Sequence, residues 1–245
     1  MSLNRKAGHI EHALTQLDHA SAHVLIIDSD VAVDEALIEA LASALDEGAD
    51  IVTAEPKLTG ARTLGEHALA GVWNAGHHNF AALFAMSAGA KTLCGKAIGL
   101  SPRARGWLRS DVIGEDLELA KMAHLQGAVV AFAAVPALVP ASGEATLGEV
   151  FARLTRWMCV LRAHRPALLP AVPLLFCPLL PLLFIAPLSA LGIFALARTL
   201  LGARLDGWRG ALRWPLGEAI LLFAFVRSLF VQTVAWRGRL IRVQT

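Results

Sequence analysis

Between Arg165 and Arg198 the chain runs for 32 residues without a charged side chain. That exceeds the roughly 20 apolar residues a membrane-crossing helix needs, so this stretch constrains the fold more than any other. It also contains six prolines, at positions 166, 170, 173, 178, 181 and 187. Each removes a backbone donor and crowds the preceding turn, so one straight helix is not expected. A kinked span and a re-entrant hairpin both remain open. Trp214 to Trp236 is a second apolar stretch, with a tryptophan at each end suited to the bilayer interface. Glu218 and Arg227 lie inside it and must face protein, water or a headgroup, because charge in hydrocarbon is costly.

The charges divide along the chain. Residues 1–150 carry 10 Lys/Arg against 18 Asp/Glu, whereas residues 151–245 carry 12 Arg, no Lys, and only Asp206 and Glu218. An acidic half followed by an arginine-only apolar half suits a catalytic domain on a membrane anchor. The arginines border apolar stretches, so lipid and not nucleic acid is the expected partner. They also flank both sides of the second stretch, so the positive-inside rule leaves topology open. Cys94, Cys159 and Cys177 lack metal-ligand spacing, and a reducing cytoplasmic setting is expected. No secretory signal is legible from Met1 to Leu17.

The first 150 residues alternate between two periodicities. Helices are expected over 6–20, 34–47, 64–88 and 116–126, and strands over 23–27, 50–55 (stopped by Pro56), 96–101 and 128–135. Alternating strands and helices argue an α/β domain. A Pro/Gly/Ser break at 136–143 precedes an amphipathic helix over 147–164.

Three short motifs carry candidate chemistry. Asp28-Ser29-Asp30 ends an apolar strand, and a period of two puts both carboxylates on one side, where they can share Mg²⁺ or Mn²⁺. The same residues also read as a solvated strand end. Their apolar-apolar-Asp-x-Asp pattern further resembles the first motif of haloacid-dehalogenase-type phosphatases, though no second acidic pair follows a strand. Glu115-Asp116 opens a helix, which fits a cap and equally a general base at Asp116. Arg153, Arg156 and Trp157 share one helix face. Guanidinium groups bind phosphate oxygens, and the indole stacks or sits at an interface.

The order Asp-x-Asp, Glu-Asp, Arg-x-x-Arg-Trp, then apolar segments resembles membrane glycosyltransferases of the ceramide glucosyltransferase type, including bacterial relatives associated with hopanoid biosynthesis. Asn4-Arg5-Lys6 resembles their Asn-x-Lys element, His78 with Cys94-Gly95 their acceptor region, and Trp236-Arg237-Gly238-Arg239 their tail. The resemblance runs from Asn4 to Arg242. It implies α/β architecture: the C-terminal portion of a GT-A domain over 1–145, an interfacial helix over 146–166, and a membrane region of about two transmembrane helices over 167–245. It implies an inverting transfer of a hexose, glucose first, from a nucleotide-diphosphate sugar such as UDP-glucose to a lipid hydroxyl. Asp28 and Asp30 would hold a metal–diphosphate and Asp116 would be the base. Arg153, Arg156 and Trp157 would bind the leaving group, and His78 and Glu115 would lie toward the acceptor. The expected location is a multi-pass protein of the inner or plasma membrane with its catalytic domain in the cytoplasm. Members of the family carry a further membrane helix and an earlier aspartate, so N-terminal truncation is expected. A processive polysaccharide synthase-like enzyme and an inactive membrane-bound fragment are the alternatives.

Overall fold

The computed structural model describes residues 5–17, 22–87, 91–109, 112, 114–236 and 239–242. In chain order the elements are α1 (Arg5–Thr15), β1 (Val24–Ile27), α2 (Glu35–Asp46), β2 (Ile51–Ala54), β3 (Pro56–Thr59), α3 (Leu64–Met86), β4 (Ala97–Leu100), α4 (Glu115–Leu125), β5 (Val130–Phe132), β6 (Ala137–Pro140), α5 (Leu147–His164), α6 (Leu179–Ile185), α7 (Leu188–Phe230), β7 (Thr233–Trp236) and β8 (Arg239–Arg242). They gather into two compact units, Met1–Pro56 with Phe80–Val139, and Lys57–Asn79 with Pro140–Thr245.

The first unit is built on a mixed sheet in the order β1-β4-β2-β5. β4 runs antiparallel to both β1 and β2, and β5 runs parallel to β2. Every residue of β2 and β4 is buried, as their unbroken small and β-branched composition requires of central strands. Helix α2 begins at Asp34, whose carboxylate accepts from Leu37 N at 2.9 Å, and its buried face is Leu37, Leu41 and Leu45. Ile26, Ile51, Ile98, Leu100 and Leu119 form the centre of the core.

The second unit is mostly helical. Helix α5 opens with a reciprocal capping box between Thr146 and Glu149 and buries Val150, Leu154 and Cys159. Helix α7 spans 43 residues but has non-helical dihedrals at Asp206 and Gly207, so it consists of two arms. The arms meet at Gly202 and Gly210, where a side chain on Gly202 would reach to 2.5 Å of the Gly210 carbonyl oxygen. Between them Arg198 Nε pairs with Glu218 Oε1 at 2.9 Å, and Trp214 Nε1 donates to Thr199 Oγ1 at 3.1 Å. Both members of that ion pair are buried, so each cancels a charge the apolar interior would otherwise reject.

Several elements differ from the sequence reading, whereas the proline-rich stretch forms no single straight helix, as its prolines predict. It breaks into a 3₁₀ turn at Pro166–Leu168, a π-type turn at Val172–Phe176 and the seven-residue α6, as the missing proline N–H groups dictate. Among the described residues one helix, α7, is long and apolar enough to cross a membrane. The stretch from Trp214 to Trp236 is not helical throughout. The helix stops at Phe230, Val231 is extended, and β7 then pairs antiparallel with β8, with Trp236 opposite Arg239. Pro56 does not end the β structure either. It starts β3, where its missing N–H does no harm, and residues 137–140 of the supposed break form β6. Ala137 N donates to Glu55 O and Ala141 N to Thr59 O, both at 2.8 Å, and the chain passes between its two units within these strands.

Candidate active site

The first unit assembles its charged residues where β1 ends. Strand β1 delivers Asp28, and the antiparallel register sets Ile27 opposite Ala97, so Lys96 arrives beside it. Asp28 N donates to Lys96 O at 2.9 Å. The Asp28 carboxylate then takes one ammonium on each oxygen, Lys6 Nζ on Oδ1 at 2.7 Å and Lys96 Nζ on Oδ2 at 3.1 Å. Lys96 Nζ also sits 2.6 Å from both oxygens of Asp30. The extended geometry expected for Asp28-Ser29-Asp30 is replaced by a turn, closed by Val31 N donating to Asp28 O at 3.0 Å. The two carboxylates nevertheless converge on one cation, here the Lys96 ammonium.

Lys6 links this pair to α4. Its ammonium lies 3.1 Å from Glu115 Oε1 and donates to Gly95 O at 2.9 Å. Burial alone would lower its pKa, but the charges of Glu115 and Asp28 outweigh that and raise it. Gly114, with φ 84°, turns the chain into α4 through the left-handed region, and Glu115 and Asp116 open the helix. Asp116 is half-buried; its Oδ1 accepts from Leu117 N at 2.9 Å, and a side chain at Gly95 would lie 3.3 Å from its Oδ2. Desolvation, then the neighbouring Glu115 charge, push the Asp116 carboxyl up to about 6. The Cys94 thiol is held well above its ordinary value by burial, then by Glu55 and Asp116, which keeps it protonated. Among the described residues no three His, Cys, Asp or Glu side chains are grouped to hold a metal ion by themselves.

In the second unit α5 carries Arg153, Arg156 and Trp157 on one side. Burial, then Arg153, lowers the pKa of Arg156, although a guanidinium stays charged at any physiological pH. Trp157 is stacked on Trp73 with ring centroids 5.8 Å apart and planes inclined by 13°. Asp28, Asp30, Glu115 and Asp116 thus lie in the first unit and Arg153, Arg156 and Trp157 in the second. His78 lies on α3 with its side chain outside the described residues, and Asn4 and the Arg237-Gly238 tail lie outside them altogether.

Sequence reasoning missed Lys96, Trp73 and Arg162. Arg162 caps the end of α7, with Nη1 donating to Ser228 O and Nη2 to Val231 O at 2.7 Å. Each of these contacts is distant in sequence, and no local pattern announces it.

The sequence model of glycosyl transferase family 21 matches residues 1–245, the whole chain. No curated protein sequence matches the chain at a significant level. The acidic strand end, the carboxylates opening α4 and the Arg-x-x-Arg-Trp helix are the motifs that carried the resemblance to ceramide glucosyltransferases. With that full-length match, the chain belongs to glycosyl transferase family 21 and is a glycosyltransferase, acting on a sugar donor and an acceptor.

Proposed function

We propose that this enzyme is a membrane-bound, inverting hexosyltransferase. It would move a hexose, glucose first, from a nucleotide-diphosphate sugar such as UDP-glucose to the hydroxyl of ceramide or a related membrane lipid. The reading rests chiefly on Asp116, a half-buried carboxyl pushed up to about 6 at the start of α4. A base with that pKa is ionised at neutral pH yet holds a proton well enough to take one from a hydroxyl as it attacks. In one displacement the acceptor oxygen bonds to the anomeric carbon, the bond from that carbon to the diphosphate breaks, and the hydroxyl proton passes to Asp116. The configuration at carbon inverts, and the nucleoside diphosphate leaves with the bonding electrons.

Asp28 and Asp30 suit a divalent cation because their oxygens already share one ammonium, and hard carboxylate oxygens are what Mg²⁺ or Mn²⁺ accepts. Two carboxylates suffice when substrate phosphates and water supply the other ligands. When bound, such an ion would neutralise charge on the diphosphate. Arg153, Arg156 and Trp157 carry over from the family pattern as the leaving-group residues, and Glu115 and His78 as residues toward the acceptor. The two arms of α7, residues 188–205 and 208–230, would be about 27 and 34 Å long, near the ~30 Å hydrocarbon core. They are proposed as two crossings of a multi-pass inner or plasma membrane protein with its catalytic unit in the cytoplasm.

The test is transfer from radiolabelled UDP-glucose into a total lipid extract by the full chain in detergent. Asp116→Asn should lose transfer while still binding the nucleotide sugar; turnover at the wild-type rate would remove Asp116 as the base. The product's anomeric configuration, read by NMR, is the second measurement, and retention would sink the single-displacement scheme.

A further inference from the structure

A second cluster of charge lies in the other unit and takes no part in the transfer scheme. Arg62, His67, Arg209 and Arg213 line a cleft of about 400 Å³, together with Trp208 and Leu212. Arg213 is only 8% exposed. Its Nη1 pairs with Asp206 at 2.6 Å, but its Nη2 is buried with no hydrogen-bond partner among the described residues. Nδ1 of His67 is in the same condition. A buried guanidinium N–H left without an acceptor is costly, and the side chain that carries it lines this cleft.

The charge around the cleft selects that acceptor. Its lining carries three guanidinium groups and an imidazole, and no carboxylate. The nearby acids are engaged elsewhere. Asp206 holds Arg213 and accepts from Asn74 Nδ2 at 3.3 Å. Glu66 accepts from the backbone of Arg62, Thr63 and Gly143 and from the Ser142 hydroxyl. Burial, then Arg213 and Arg209, lower the pKa of His67, so it stands as a neutral hydrogen-bonding group beside the arginines. Several forked donors around one small cleft match the oxygens of a phosphate.

The rim narrows the class further. Trp208 is 70% and Leu212 69% exposed, and Arg209 lies over the Trp208 ring at 5.7 Å. These residues begin the second arm of α7, which among the described residues is the one helix with the length and composition to cross a membrane. A basic cleft beside an exposed indole and leucine fits a ligand with a phosphate at one end and hydrocarbon at the other. We propose that this cleft binds the phosphate of an anionic membrane phospholipid, through residues that the transfer scheme does not use.

The experiment titrates the full chain in neutral detergent with short-chain phosphatidylglycerol, phosphatidylcholine or inorganic phosphate. It follows tryptophan fluorescence, with Trp208→Phe identifying the reporting ring. Saturable binding of phosphatidylglycerol is expected, with phosphatidylcholine and inorganic phosphate each weaker by about tenfold or more. Arg62→Gln and Arg209→Gln should each weaken phosphatidylglycerol by about tenfold, the scale of one lost charged contact. Arg213→Gln should weaken it most, but Arg213 also braces Asp206, so the two exposed arginines are the decisive variants. Equal binding of the two lipids would reduce the site to its apolar rim. Inorganic phosphate binding as well as the lipid would make it a free-phosphate site. Wild-type affinity in both exposed-arginine variants would remove the cleft as the site. Any of these three results overturns the proposal.

Discussion

Glu66 and Asp116 are enclosed carboxylates in the first turn of a helix, one in each unit, and their surroundings drive them in opposite directions. Burial would raise Glu66, but backbone N–H groups of Arg62, Thr63 and Gly143, with the Ser142 hydroxyl, outweigh it and hold the carboxyl at about 2. Asp116 has burial and the charge of Glu115 acting together, opposed by the N–H groups of Leu117 and of Asp116 itself and by the charge on Lys6, and stands at about 6. Glu66 is buried and Asp116 half-buried, yet Glu66 is the one held low, so burial does not decide the direction; the number of donors does. A carboxylate surrounded by donors is a fixed structural joint. One with few donors beside a like charge exchanges its proton near neutral pH.

Asp116→Asn should have the largest effect. Loss of the base should lower kcat by about 10²–10⁴-fold, read in the lipid transfer assay. Stability should move the other way. Asp116 binds its proton more tightly folded, at about 6, than at its ordinary 3.8, so the stability it contributes is present below 3.8 and lost as pH rises through 6. Asn cannot ionise. The variant should match the wild type at pH 4 and exceed it at pH 7.5 by on the order of 2 kcal/mol, measured as Tm. A variant less stable at pH 7.5 would mean that the ionised carboxylate is well solvated.

Glu66→Gln should do the reverse, costing stability with no direct effect on chemistry. Oε1 and Oε2 each face N–H groups, and an amide can accept at only one end. The other end sets NH₂ against backbone N–H, a loss of about 2–4 kcal/mol for two abandoned donors. The folded pKa is depressed from 4.5 to about 2, so this contribution is present above 4.5 and disappears as pH falls through 2. The Tm gap between the wild type and Glu66→Gln should therefore close in acid, and a gap independent of pH would assign the loss to packing.

This pair also marks what the sequence could and could not disclose. Helix α5 was legible because its amphipathic pattern is local, and its start is capped locally too, by Thr146 and Glu149 three positions apart. The apolar run before Asp28 and the acids opening α4 were legible for the same reason. Lys96 was not, because it reaches Asp30 across 66 residues through an antiparallel strand pair. The end of α7 was misplaced because Trp236 looked like an interfacial anchor, whereas the helix is closed by Arg162 from another helix. The pairing of Arg198 with Glu218 depends on the break at Asp206 and Gly207, which folds one arm back on the other. Glu66 reads as an ordinary first-turn acid; the turn at Ser142 and Gly143 that makes it a joint lies far along the chain.

The finest test separates the two charges that act on Asp116. Glu115 raises its pKa and Lys6 lowers it. The acid limb of kcat/KM, set by the base of the free enzyme, should fall near pH 6. Glu115→Gln removes the like charge and should move that limb to lower pH, while Lys6→Gln removes the favourable charge and should move it higher, each by less than about one unit. Lys6→Gln also leaves Asp28 Oδ1 and Glu115 Oε1 without their shared ammonium, so its kcat should fall as well. The sign of the shift is what matters, since a general disturbance of the site would move both variants the same way. Two displacements in one direction, or none, would detach the pH limb from Asp116 and leave its raised pKa without a part in the reaction.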